Sequence, residues 1–293
     1  MAPTTVDPAI TTSTEPHVAI TPLPSVALVN RLFVFLPGTE GTPDQYRLIL
    51  RAAAGRGYHA IGLNYQNGPT PVGVVCAASQ DPNCFFNARR EIITGADLSP
   101  DVSVTLANSI LSRLNKTIAY LNQNYPGESW GQFLANGSVN WAKVTVGGHS
   151  QGGGHAGVLA KMFSMHRACY FAAPPDWNAA AGSPAAWESG QPNVTPTSAQ
   201  FGFAGLADPS VPYSQLSVIW QAIGLGTFGA AVSVDSTAAP FNNSHMLTTN
   251  ATPATSNAVG TPLHGLTVRD AFTPIGSNGV PVFDPVWAYL CFR

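Results

Sequence analysis

A Gly-x-Ser-x-Gly pentapeptide, Gly148 to Gly152, directly follows a run of β-branched residues that begins at Val144. The residues after it, Ala156 to Met162, have the composition of a helix. A serine between a strand and a helix sits on a sharp, strained turn, where glycines two residues to either side avoid a steric collision. At the start of the helix, free backbone N–H groups face any negative charge that develops on a substrate. The pattern predicts a nucleophile elbow with Ser150 as the nucleophile, in preference to an ordinary glycine-rich turn.

Alternating strand and helix patterns precede this elbow. Arg31 to Leu36 is a short apolar run that ends at Pro37, Pro43 to Ala54 reads as a helix, and Tyr58 to Tyr65 is the next strand. Strand, helix, strand in this order is typical of βαβ units, which build parallel sheets. The sequence therefore predicts an α/β fold with a doubly wound, mostly parallel sheet, in which ligands bind outside the carboxyl ends of the strands.

Length and composition indicate the domain organisation. A chain of 293 residues with 45% hydrophobic content can bury one sizeable core, so we expect residues 29–293 to form a single domain. Residues 1–28 are rich in Thr and Pro and show no periodicity; we expect them to lie along the surface or to frame an edge strand. Inside the domain, a helix is predicted from Val102 to Asn124 and a strand from Phe228 to Val234.

A serine nucleophile needs a base to remove its proton, and the base needs an acid to fix its tautomer. Asp208 directly follows the apolar run Phe201 to Ala207 and precedes Pro209, which is the position expected for the acid. The alternative role for Asp208 is a helix N-cap. Asp176, after the preceding strand, is the reserve candidate for the acid.

Two histidines, His245 and His264, follow the last predicted strand and are candidates for the base. The spacing alone does not decide between them. The glycine after His264 leaves its ring uncrowded, whereas Met246 to Thr249 looks like a short strand that would hold His245 as a structural hydrogen-bonding group. We expect His264 to be the base, with His245 in reserve. His149 and His155 lie on the elbow itself, and both are interpreted as structural.

The oxyanion hole needs two backbone N–H donors. One is expected from Gln151, the residue after the nucleophile, and the other from Thr39 in the loop after the first clear strand. The alternative for the Pro-Gly-Thr sequence at Thr39 is an ordinary turn. Trp177 and Trp187 lie in a proline-containing surface excursion; they either wall the acyl or alcohol site or pin the excursion onto the body of the protein.

Cysteine spacing points to an oxidising compartment. Cys76 and Cys84 bracket a short polar loop, and we expect a disulfide between them. Cys169 and Cys291 lie in apolar segments and either pair or remain buried thiols. Because no Cys-x-x-Cys or His-x-x-x-His spacing occurs, a metal site is not expected. A serine nucleophile with a histidine base needs no cofactor, and none is expected. The start of the chain lacks the features of a signal peptide, so a secreted or periplasmic protein would have to be in its mature form.

The charge pattern argues against several kinds of partner. Lys and Arg number 13 against 15 Asp and Glu, and only 10% of residues are charged, so the chain has no basic stripe for nucleic acid. The longest apolar stretch, Val218 to Val234, is broken by Gln221 and glycines, and no membrane span is predicted. A surface so poor in charge is commoner outside cells. We expect a monomer.

The chain resembles the α/β-hydrolase superfamily from Arg31 to Arg293. It looks most like a poorly characterised group of secreted bacterial serine hydrolases with esterase-like members. The motifs that carry this likeness are Phe35 to Thr39, Gly148 to Gly152, and an ending with His264-Gly265, Asp270, Thr273-Pro274 and Pro285 to Leu290.

The resemblance implies the order Ser, Asp, His along the chain, which Ser150, Asp208 and either His264 or His245 match; the narrower group favours His264. It implies a serine ester hydrolase that works through an acyl-enzyme. The chain has neither a His-Gly-Gly-Gly oxyanion motif nor a long helical lid, which disfavours a lipase for long-chain triglycerides. The alternatives are a polyester or cutin depolymerase with an open cleft and, in another class, a non-catalytic binding protein of the same fold.

Overall fold

A computed structural model describes residues 1–255 and 261–293. Its centre is an eight-stranded sheet of order β1-β3-β2-β6-β7-β10-β12-β11, in which every neighbouring pair is parallel except β1 with β3. Two small antiparallel pairs, β4 with β5 and β8 with β9, lie outside it. The strands are β1 (Val18–Ile20), β2 (Leu32–Leu36), β3 (His59–Gly62), β4 (Leu134–Ala135), β5 (Ser138–Val139), β6 (Val144–His149), β7 (Arg167–Phe171), β8 (Trp177–Asn178), β9 (Ser183–Pro184), β10 (Gln200–Gly205), β11 (Val232–Ser233) and β12 (Met246–Thr249).

Helices cover both faces of the sheet. Helices α2 and α10 pack on one face, and α4, α5, α6 and α8 pack on the other. The helices are α1 (Pro3–Val6), α2 (Arg47–Ala54), α3 (Val72–Val75), α4 (Cys84–Thr94), α5 (Ile110–Asn124), α6 (Gln151–Met162), α7 (Ala186–Gly190), α8 (Tyr213–Ile223), α9 (Pro262–Gly265) and α10 (Asp284–Cys291).

The strand β2 shows why an uninterrupted apolar run becomes a central strand. All five of its residues are buried. Because successive side chains of a strand point to opposite faces, Leu32, Val34 and Leu36 enter the core under α4 to α8, while Phe33 and Phe35 enter the core under α2 and α10. A strand with one polar face could not occupy this position. The predicted fold class, α/β with a doubly wound and mostly parallel sheet, is confirmed.

The bounds of two predicted elements were wrong. The helix expected from Val102 begins at Ile110, because a 3-10 turn precedes it and the Ser109 side chain caps it by accepting a hydrogen bond from the Ser112 N–H. The strand expected over Phe228 to Val234 shrinks to Val232–Ser233. A 3-10 turn that includes Phe228 takes up its first part, and Gly229 follows with φ 101°.

The N-terminal segment is tied to the body at several points. Strand β1 pairs with β3 at the edge of the sheet. The buried guanidinium of Arg113 donates hydrogen bonds to the carbonyl oxygens of Thr12 and Ser13 at 2.6 and 3.0 Å. These contacts give residues 1–28 a fixed path, and the division of the chain at residue 28 stays a prediction.

Two disulfides are present. The predicted pair Cys76–Cys84 is confirmed, with a Cα–Cα distance of 5.6 Å. Cys169 and Cys291 also pair, with a Cα–Cα distance of 5.9 Å, and this bond joins β7 to α10. The first disulfide ties the end of the short helix α3 to the start of α4, which fixes α3 beside the cavity described below.

Candidate active site

The turn between β6 and α6 has the backbone of a nucleophile elbow. Ser150 takes φ 53° and ψ −118°, a strained conformation for a residue with a side chain. A Cβ atom on Gly148 would lie 2.3 Å from the carbonyl carbon of Gly152, and one on Gly152 would lie 2.1 Å from the carbonyl oxygen of Leu36. Both glycines are therefore required by close backbone contacts, for the reason that the sequence motif suggests.

The substitution Gly152→Ala should destabilise the protein by about 3 kcal/mol, because the added methyl group meets main-chain atoms of β2 that have no room to move. Gly127→Ala is the matched control, since a Cβ there finds nothing within 4 Å, and it should change stability by less than about 0.5 kcal/mol. Urea unfolding of both variants measures the difference. Equal midpoints for the two would contradict the close approach at the elbow.

Asp208 lies directly beyond β10 and holds the ring of His264. Its Oδ2 atom is 2.7 Å from Nδ1 of His264, and its Oδ1 atom accepts hydrogen bonds from the N–H groups of Ser210 and Val211 at 2.8 and 3.2 Å. The carboxylate thus binds a histidine and also caps a turn, while the helix that follows, α8, has Pro212 as its N-cap. Because a carboxylate can only accept, Nδ1 carries the proton and Nε2 of the neutral ring is an acceptor.

Ser150 and His264 line one cavity of about 590 Å³ at the carboxyl ends of the strands. No hydrogen bond joins the Ser150 hydroxyl to the His264 ring, and such contacts often tighten only when substrate is bound. Loops after β2, β3, β7, β10 and β12 contribute the rest of the wall, as expected for a doubly wound sheet. The described lining residues outside the elbow include Gly38, Thr39, Glu40, Tyr46, Pro71, Val74, Pro175, Val211 and Arg269.

Thr39 and Gln151 also line this cavity. Within the described residues, the backbone N–H of neither has a hydrogen-bond acceptor, so both are available to a ligand oxygen. The Gln151 side chain fixes its own position: it accepts from the Val72 N–H at 2.9 Å and donates to the Asn67 carbonyl at 2.8 Å. Asn67 in turn donates to the carbonyl oxygens of Gly38 and Gly41, both at 2.8 Å, which holds the loop that carries Thr39.

His149 links the loop of Thr39 to the backbone of His264. Its Nε2 atom is 3.0 Å from the His264 carbonyl oxygen, and its Nδ1 atom is 3.0 Å from the Tyr46 hydroxyl, which accepts from the Gly38 N–H at 3.3 Å. A carbonyl can only accept, so Nε2 donates and Nδ1 accepts from Tyr46. Burial lowers the pKa of His149 well below its ordinary value, so this ring is neutral. The sequence indicated a structural role for His149 but gave no sign of Tyr46.

Asp176, the reserve candidate for the acid, binds Arg89 and Trp187. It forms a fully buried ion pair with Arg89, and Trp187 donates its indole N–H to the same carboxylate at 2.9 Å. Arg89 also donates to the Gln151 carbonyl at 2.9 Å, and its guanidinium fills the space where a Cβ on Gly154 would lie. Asp176 therefore supports helix α6 from behind and does not contact a histidine within the described residues.

The two tryptophans do not lie on the cavity wall among the described residues. Trp187 is 2% exposed, and its ring packs where a Cβ on Gly157 would be, 2.8 Å from Cη2. Trp177 lies on the β8–β9 hairpin of the excursion. Of the two roles open from the sequence, the position of Trp187 fits the one that pins the excursion to the body.

His245 lies at the opposite ends of the strands from Ser150. It immediately precedes β12, which is parallel to β10, so it stands at the amino ends of the strands, while Ser150 stands at the carboxyl ends. Its ring is stacked between Phe201 and Phe228, with centroids 3.9 and 3.8 Å away, and Nδ1 bonds to the Gln200 carbonyl at 2.9 Å. These contacts are those of a structural hydrogen-bonding group.

The described residues hold one group of three potential metal ligands, Cys76, Cys84 and Asp101. The two sulfur atoms there are joined to each other and offer no thiolate. Of the helices in residues 1–255 and 261–293, none combines the length and the apolar character needed to cross a bilayer.

Comparison with known proteins adds little to this geometry. No family model matches the chain, and no curated protein matches it. Among solved structures, an α/β serine hydrolase homologue from Coxiella burnetii is similar over 71% of this chain and 76% of its own, with 10% identity and a TM-score of 0.37. An α/β serine hydrolase without lid from Xanthomonas campestris is similar over 80% of this chain and 76% of its own, with 13% identity and a TM-score of 0.37. The assignment of the fold class therefore rests on the strand order of the sheet and on the backbone of the elbow.

Proposed function

We propose that the protein is a serine ester hydrolase that works through an acyl-enzyme, with Ser150, His264 and Asp208 as its catalytic triad. The observation that carries this proposal is that Ser150, on a strained elbow, shares one cavity with a histidine whose Nδ1 is bound to a buried aspartate. This combination supplies a nucleophile, a base and an orienting acid in the roles that acyl transfer requires.

The reaction follows from the tautomer that Asp208 imposes. Nε2 of His264 takes the proton from the Ser150 hydroxyl while Oγ attacks the ester carbonyl carbon. The carbonyl oxygen becomes an oxyanion, which in this proposal accepts hydrogen bonds from the N–H groups of Thr39 and Gln151. As the tetrahedral intermediate collapses, His264 gives the proton to the leaving alcohol. Water then attacks the acyl-enzyme by the same steps and releases the acid.

One feature supports an extracellular or periplasmic site of action, and another supports a broad ester cleft. The two disulfides fit an oxidising compartment. The cavity wall near α3 is apolar and open, with Val74 64% exposed beside Pro71 and Pro175, which suits an acyl chain or a segment of a polyester. A polyester or cutin depolymerase is the second candidate for this reason. We propose that the enzyme acts as a monomer without a cofactor.

A fluorophosphonate probe tests the proposed function, because it reacts only with an activated serine. We expect stoichiometric labelling of the peptide that contains Ser150 and loss of ester turnover in proportion to labelling. A panel of 4-nitrophenyl esters of increasing acyl length, together with an insoluble polyester, would separate a small-ester hydrolase from a depolymerase. Folded protein that neither reacts with the probe nor cleaves any ester would instead be a non-catalytic binding protein.

A further inference from the structure

The cavity has charged side chains on two sides. Among the described lining residues, apart from histidines, the charged ones are Glu40 and Arg269. Glu40 follows Thr39 on the loop after β2, and its side chain is exposed. Arg269 follows helix α9, which carries His264, and Arg269 donates its backbone N–H to the Gly265 carbonyl at 2.8 Å. The cavity is therefore positive on the side of His264 and negative on the side of the loop after β2.

The Arg269 guanidinium has no ion-pair partner among the residues that the structure describes. Within the described residues it forms no ion pair, while its neighbour Asp270 is occupied elsewhere, accepting hydrogen bonds from the N–H groups of Arg47 and Leu48 at 2.9 and 3.1 Å. The guanidinium lies over the Phe272 ring, 5.3 Å from its centroid. The cation is thus held against an aromatic ring at the cavity, with no ion pair to an acid in residues 1–255 and 261–293.

The charge of Arg269 reaches the floor of the cavity. Burial is the main cause of the lowered pKa of His149, and Arg269 contributes to that lowering. Burial raises the pKa of Tyr46 to about 12; Arg269 lowers the pKa of the same hydroxyl, and Asp270 raises it by a smaller amount. A group whose field acts on both side chains beside His264 would also act on a substrate bound there.

We propose that Arg269 is a specificity-determining residue that binds a carboxylate on the alcohol part of the ester substrate. The inference rests on the proposed function, because His264 protonates the leaving alcohol, which places the alcohol part on the histidine side of the cavity. A guanidinium can bind a carboxylate with two parallel hydrogen bonds. Glu40, on the opposite side, repels a carboxylate placed on the acyl part. The substrate class is therefore acyl esters of hydroxy acids.

Two pairs of esters test the proposal. For the alcohol side the pair is 4-acetoxybenzoate and its neutral analogue 4-acetoxybenzamide; for the acyl side it is mono-4-nitrophenyl adipate and 4-nitrophenyl hexanoate. The readout is the ratio of kcat/KM for the anionic ester to that for the neutral ester. In Arg269→Gln the alcohol-side ratio should fall about five- to tenfold, while Arg269→Lys should keep most of it. Added salt should lower the wild-type ratio.

Arg51→Gln is the matched control, because it removes one positive charge from the exposed surface of nearby α2 and Arg51 does not line the cavity. The proposal is overturned if the alcohol-side ratio falls no further in Arg269→Gln than in Arg51→Gln. An equal loss of rate for the anionic and the neutral ester in Arg269→Gln leaves this ratio unchanged and is therefore such a result. A fall confined to the acyl-side ratio would also overturn it. In both cases neutral esters are still cleaved, which distinguishes these results from the failure of the proposed function, where no ester is cleaved at all.

Discussion

Ser150→Ala should reduce kcat for any ester substrate by about 10⁴-fold or more, because no other group in the cavity replaces the nucleophile once Oγ is gone. Thermal unfolding should stay nearly unchanged, since the lost hydroxyl makes no hydrogen bond within the described residues and Ala accepts the same backbone as poorly as Ser. The measurement is the initial rate of 4-nitrophenyl ester hydrolysis alongside calorimetry. More than a few per cent of wild-type activity in a clean preparation would remove Ser150 from the mechanism.

His264→Ala and His245→Ala should have opposite effects. The first removes the base and should lower kcat by about three or more powers of ten with little change in stability. The second removes a ring stacked between two aromatic rings and bonded to a strand carbonyl, so it should cost about 2 kcal/mol of stability and leave the rate of the folded fraction unaltered.

Rates and urea midpoints of both variants, measured at a temperature where each is folded, decide between the two histidines. Asp208→Asn provides a further check. The substituted side chain keeps a similar hydrogen-bond geometry but favours the wrong tautomer of the His264 ring. This variant should approach the activity loss of His264→Ala. If His245→Ala lost activity and His264→Ala kept it, the base would be reassigned.

The sequence was sufficient to predict those features that depend on residues close together in the chain. The elbow depends on glycines within two residues of Ser150, and the central strands depend on short apolar runs, so both could be predicted. The disulfide Cys76–Cys84 also spans a short loop. Helix α5 was extended too far because its apolar spacing continues upstream of Ser109, whose capping hydrogen bond sets the true start.

Long-range partners could not be predicted in the same way. Asp176 remained a candidate acid because its ion-pair partner Arg89 lies 87 positions earlier, with no local trace. The separation of His245 from Ser150 depends on strand direction, and here a signal was available: His245 precedes a strand, while groups at the carboxyl ends follow one. The role proposed for Arg269 could not be predicted either, because only the three-dimensional contacts show that the neighbouring Asp270 binds the N–H groups of Arg47 and Leu48.

The hydrogen bonds of His149 connect two parts of the proposed site. The loop of Gly38 and the segment of His264 are far apart in the chain, yet a single neutral ring bridges them through Tyr46 on one side and the His264 carbonyl on the other. A relative displacement of the two segments would therefore have to break one of these hydrogen bonds. We expect this bridge to hold the proposed base and the loop of the proposed oxyanion donor Thr39 in a fixed relative position.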